Sequence, residues 1–134
     1  IPKCVKRVFT VIELHNISFS GSKSTVQELV ATNAIHAGFV SSVGSSSFSE
    51  EIIPSMKIYF DDQLIEDHGG TTFISMISTS LKWLIDVLVK RGEKLETGQI
   101  ILTGTIPRLI PVENPCHIKV DASPFGNVET IITS

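Results

Sequence analysis

The chain has 134 residues, 42% of them hydrophobic and 19% charged, with a formal net charge of -3. That length suits one globular domain over residues 1–134 with a core of its own, and the weak acidity excludes the clustered basic face that nucleic-acid binding needs. No apolar run approaches the roughly 20 residues needed to cross a bilayer, and the first residues lack signal-peptide order, so the expectation is a cytoplasmic protein without a membrane partner.

The chain begins at Ile1 without a methionine, which reads as a fragment, a processed product or the later part of a longer chain. Cys4 and Cys116 have no CxxC partner and no metal-ligand spacing, so both are expected as free thiols. VFTVIEL, Val8 to Leu14, is a β-rich run. Glu13 stands out in it, because a carboxylate among Phe9, Val11, Ile12 and Leu14 either faces water or is paired, protonated or bound to a cation. Gly21 to Lys23 suit a turn, and Ser24 or Thr25 can cap a short helix over Val26, Leu29 and Val30. ATNAIHAGFVSSVG then suits a closely packed strand, and the Ser-rich stretch from Ser41 to Ser49 a flexible surface connection.

Met56, Ile58 and Phe60 alternate with Lys57 and Tyr59, Asp61-Asp62 interrupts, and Leu64 and Ile65 follow, a hairpin with the aspartates as solvated turn formers. Leu81, Leu84, Ile85, Leu88 and Val89 follow helical spacing, giving the strongest helix, Leu81 to Arg91, with Trp83 as a packing residue. Gly92 suits a left-handed cap. In GEKLETGQIILTG, Ile100 to Leu102 read as a buried central strand bounded by glycines, with Thr103 and Thr105 where it emerges. Pro107 and Pro111 stiffen the loop that follows, and Pro124 to Asn127 turn between a strand at Cys116 to Val120 and another from Val128.

His15, His36, His68 and His117 have no i, i+4 pair, so a helical zinc site is unsupported, and no Gly-x-Ser-x-Gly elbow exists. Glu13 remains the one credible ligand to a cation.

The run GEKLETGQIILTG, with Trp83 before it and Pro111-Val112 after it, resembles the C-terminal portion of the 2-hydroxypenta-2,4-dienoate hydratases and related 4-oxalocrotonate decarboxylases of the fumarylacetoacetate hydrolase superfamily. The resemblance implies an α+β, mostly β fold, a mixed curled sheet with one main packed helix. It implies that Glu13 is one of three carboxylates holding Mg²⁺ or Mn²⁺, the other two coming from an upstream Glu-x-Glu. Asn33 and Ala34 match the family's Asp-Asn-Ala segment, with Thr32 in place of the aspartate. Ser75 and Ile77 stand where the family has a Gly-x-Pro turn. Under this resemblance the partner is a small 2-oxo or 2-hydroxy-dienoic acid, bound by Thr103, Thr105 and Asn33, in a homo-oligomer. Three readings follow: a hydratase-like domain incomplete without its N-terminal part, a non-catalytic remnant serving binding or oligomerisation, and an acylpyruvate-type hydrolase on the same scaffold.

Overall fold

A computed structural model describes residues 3–17, 24–46, 53–70, 72–104 and 107–133. The expected turn at 21–23 and the end of the Ser-rich stretch, 47–49, lie outside them. Six strands and two helices follow in the order β1 (Val11–His15), α1 (Val26–Ala31), β2 (His36–Ser41), β3 (Ser55–Phe60), β4 (Gln63–Gly69), α2 (Thr72–Lys90), β5 (Cys116–Ser123) and β6 (Val128–Ile132). The architecture is α+β and mostly strand, with one main helix. β1 and β2 form a two-stranded antiparallel sheet, and the other four strands form an open antiparallel sheet in the order β4-β3-β5-β6.

Alternation along the strands builds the core. Ile58, Val120, Ala122 and Val128 are buried on one face of the larger sheet, and Ile12 and Val40 of the smaller sheet pack against them with Met56, Phe60 and Ile110. The hairpin turn falls at Asp61-Asp62, both with positive φ (46° and 66°), the twist that suits a two-residue hairpin. Asp61 also holds the neighbouring strand: its Oδ1 accepts from the His117 amide at 2.8 Å, and its amide donates to the His117 carbonyl at 2.9 Å.

Both helices end by backbone rule. Thr25 caps α1 in a reciprocal capping box, its amide donating to Glu28 Oε2 at 2.7 Å while the Glu28 amide donates to Thr25 Oγ1 at 3.2 Å. Gly92, at φ 72°, closes α2: its amide reaches the Val89 carbonyl and the Glu93 amide the Leu88 carbonyl, a Schellman arrangement.

Five local expectations are corrected. Ile100 to Leu102 form no strand, and Ile100 is 60% exposed. Gly98 and Gly104, both at positive φ, turn the chain on either side of this short run, leaving it an irregular wall against the core face. Helix α2 begins at Thr72 rather than near Leu81. Phe73 and Ile77 extend the apolar stripe backwards, and no glycine or proline interrupts it. Trp83 is 65% exposed and Val89 67%, so the packed stripe runs through Leu81 and its half-buried neighbours Leu84, Ile85 and Leu88 instead. Nor is ATNAIHAGFV one strand.

Three successive non-glycine residues, Asn33, Ala34 and Ile35, have φ of 50°, 56° and 59°, a left-handed turn before β2. Such backbone costs about 1–2 kcal/mol per residue. Thr32 helps to hold it, its hydroxyl donating to the Glu28 carbonyl at 2.7 Å and accepting from the Ile35 amide at 3.3 Å. The start of the Ser-rich stretch is equally structured. Ser42 is buried, and its hydroxyl accepts from the Thr10 amide (3.1 Å) and the Gly44 amide (3.2 Å) while donating to the Phe125 carbonyl (2.8 Å). That one side chain joins the segment before β1, the end of β2 and the β5–β6 turn.

Candidate functional site

The core face of the larger sheet, β1, α2 and residues 95–104 and 107–112 surround a cleft of about 1400 Å³. Its walls are mainly apolar, including Ile12, Met56, Ile58, Phe60, Leu81 and Ile110. Glu13, on β1, and Thr103, half-buried in the glycine-bounded run, both line it. Asn33 does not: it is exposed in the left-handed turn. Its positive φ serves chain reversal after α1, so its match to the family segment does not bring it to the cleft. Thr105 lies outside the described residues.

The environment of Glu13 follows from strand period. Ile12 and Val40 point to the core, so Glu13 and its cross-strand partner Phe39 occupy the other face of the two-stranded sheet. There Glu13 Oε1 accepts from His36 Nδ1 at 2.8 Å and lies 3.6 Å from His15 Nε2, all three side chains about one-quarter to one-third exposed. The carboxylate in the apolar run is thus paired, one of the alternatives open to it. The bulge between Leu14 and His15, together with the left-handed turn, sets His15 opposite His36. His15, two residues from Glu13, was foreseeable on the same strand face; His36 was not, since only the β1–β2 register brings it there. The other histidines are also paired with glutamates, His68 with Glu66 and His117 with Glu129.

This donor set does not complete a site for Mg²⁺ or Mn²⁺. Those ions favour several hard oxygen ligands, whereas Glu13 is one carboxylate beside two imidazoles, which suit softer metals. Among the described residues no group of three or more histidines, cysteines, aspartates or glutamates can hold a metal ion. Cys4 and Cys116 are free thiols. Two titrations are displaced elsewhere: hydrogen bonds from the Thr25 amide and hydroxyl hold the Glu28 carboxyl below its usual range, and the hydrogen bond to Asp121 holds the Lys119 ammonium above its own.

An α+β domain with an open antiparallel sheet, an apolar cleft and a few polar groups along it has the layout of a small-molecule-binding domain. Part of the chain is similar to two curated proteins. Over 77 residues, 58% of this chain, it is 26% identical to 2-keto-4-pentenoate hydratase 2 of Dechloromonas aromatica (strain RCB) and 25% identical to 2-keto-4-pentenoate hydratase 1 of the same organism. The match covers 29% of each hydratase, so the chain spans well under two thirds of the curated relatives it matches. No family model and no solved structure matches. No helix among the described residues is long and apolar enough to cross a membrane.

Proposed function

We propose that this chain is the C-terminal portion of a hydratase-like enzyme, acting on a small 2-hydroxy-dienoic or 2-oxo acid in the cleft. The observation that carries the reading is that Thr103 and strand β1, which holds Glu13 on its other face, border one apolar cleft in a chain similar to two hydratases. The apolar walls would pack against the diene, and the Thr103 hydroxyl would donate to a substrate carboxylate or carbonyl oxygen. If Mg²⁺ or Mn²⁺ acts with this chain, its further oxygen ligands come from beyond the described residues.

The test is a thermal melt with and without millimolar Mg²⁺ or Mn²⁺ plus oxalate, on the chain and on Glu13→Ala, followed by loss of the dienoate's conjugated ultraviolet absorbance. A ligand that binds only the folded state raises its stability, so metal-dependent stabilisation that disappears in the variant supports a working Glu13 site. Hydration of a dienoate supports the enzyme reading, and cleavage of a diketo acid instead moves it to the acylpyruvate-type hydrolase.

A second reading, a non-catalytic binding or oligomerisation module, is favoured by two observations. Thr32 holds a turn where the family carries an aspartate, and the carboxylate set is incomplete. Homo-oligomerisation would use the open sheet edges, β4 and β6, and light scattering after gel filtration reads it directly.

A further inference from the structure

Pockets for drug-sized ligands span about 300–1000 Å³, and a five-carbon acid is smaller than those ligands. A cleft of about 1400 Å³ would remain largely water-filled around such an acid, against side chains such as Met56, Ile58 and Phe60. Wet apolar wall is unfavourable, so the cleft fits an occupant with a hydrocarbon body of its own.

The charges along the cleft say which end of that occupant is polar. Glu13 is engaged by His36, Glu96 lies 3.5 Å from Lys94, and Arg7 Nη1 donates to the Val43 carbonyl at 2.8 Å. Lys6 and Arg108 also line the cleft, and neither makes a hydrogen bond or ion pair among the described residues; of the two it is Arg108 that presents a planar guanidinium. Its backbone is held between Pro107, which is buried, and Pro111, whose fixed φ angles stiffen the segment. A guanidinium on a stiff segment beside an apolar wall matches the two oxygens of a carboxylate.

We infer that the cleft takes an elongated 2-oxo or 2-hydroxy-dienoic acid carrying an alkyl or aryl substituent, with Arg108 anchoring the carboxylate and the substituent lying along the sheet's core face. The inference rests on the hydratase reading for the acid group and names the rest of the substrate.

Isothermal titration of the full chain with 2-oxopentanoate, 2-oxooctanoate and 2-oxodecanoate tests it without turnover. Affinity should rise three- to fourfold per added methylene, the fold-change equivalent to about 0.8 kcal/mol per buried CH₂. Arg108→Gln should weaken each acid about tenfold or more, Arg108→Lys should recover part of the loss, and 2-octanone, which lacks the carboxylate, should be insensitive to both. Arg108 is exposed, so unchanged melting of both variants is expected and checks that the fold is intact. A flat length series, or Arg108→Gln binding as tightly as the parent, overturns the inference. Hydration of the five-carbon dienoate alongside a flat series overturns it while leaving the hydratase reading intact. Length- and Arg108-dependent binding without hydration of any dienoate upholds the site and overturns that reading instead.

Discussion

Replacing Ser42 with alanine should destabilise the fold far more than a surface serine would. The hydroxyl makes three hydrogen bonds, to the Thr10 amide, the Gly44 amide and the Phe125 carbonyl, and the side chain is 8% exposed. Each bond contributes about 0.5–1.5 kcal/mol net. Three such bonds sum to about 1.5–4.5 kcal/mol, and because two are long, at 3.1 and 3.2 Å, and Gly44 is reachable by water, the total lies in the lower half of that range. The Thr10 amide keeps only a stretched contact of 3.4 Å to the Phe125 carbonyl, so part of a buried desolvation cost is added. The expected loss is about 2–3 kcal/mol, a fall in Tm of roughly 8–12 °C for a domain of this size. Urea unfolding followed by circular dichroism, with exposed Ser41→Ala as the control, should show a lower midpoint and an unchanged slope. A loss below about 1 kcal/mol, indistinguishable from the control, would refute the idea that this hydroxyl ties the two sheets together.

Other substitutions probe the remaining features. A Cβ on Gly44, at φ 75°, would sit 2.6 Å from Phe9 Cδ1 and 2.7 Å from the Val8 carbonyl oxygen, so Gly44→Ala should cost about 2–4 kcal/mol, read by the urea midpoint. Leu81→Ala should cost about 2–4 kcal/mol and Trp83→Ala under about 1, and Trp83 fluorescence should be readily quenched by acrylamide; a protected tryptophan would count against the observed face of α2. By NMR, Glu28 should titrate below 4.5 and return towards it in Thr25→Ala. Because its pKa is depressed in the folded state, the capping box contributes stability above pH 4.5 and loses it as pH falls through the folded value, so the two proteins should converge in stability on acidification.

The two hairpins were legible because alternation and turn chemistry agreed: Met56 to Ile65 around Asp61-Asp62, and Cys116 to Val128 around Pro124 to Asn127. Thr25 and Gly92 were legible because caps depend on neighbours in sequence. Ile100 to Leu102 misled because an apolar run between glycines has the same composition whether it finds a ladder partner or lies against a sheet face. Trp83 misled because side-chain size carries no information on which side of a helix meets the core. In the site, Glu13 stands out in the sequence as a carboxylate among apolar neighbours, but its partner His36 is invisible there because only the strand register brings it within reach. Arg108 lay in a loop read for its prolines alone.

The left-handed turn at Asn33 to Ile35 has a dynamic consequence. Three residues at roughly 1–2 kcal/mol each set a backbone cost of about 3–6 kcal/mol, which the roughly 1.5–3 kcal/mol from burying Ile35, 8% exposed, offsets only together with the Thr32 hydrogen bonds. The segment therefore sits close to balance, and opening it should require much less free energy than unfolding the sheet. In native-state hydrogen exchange the amides of Asn16 and His36, bonded to the Ile35 and Asn33 carbonyls, should exchange well ahead of that of Ile58 in the core strand. The pairing of His36 with Glu13 would then be made and broken on that faster clock, while the cleft's sheet wall stays shut.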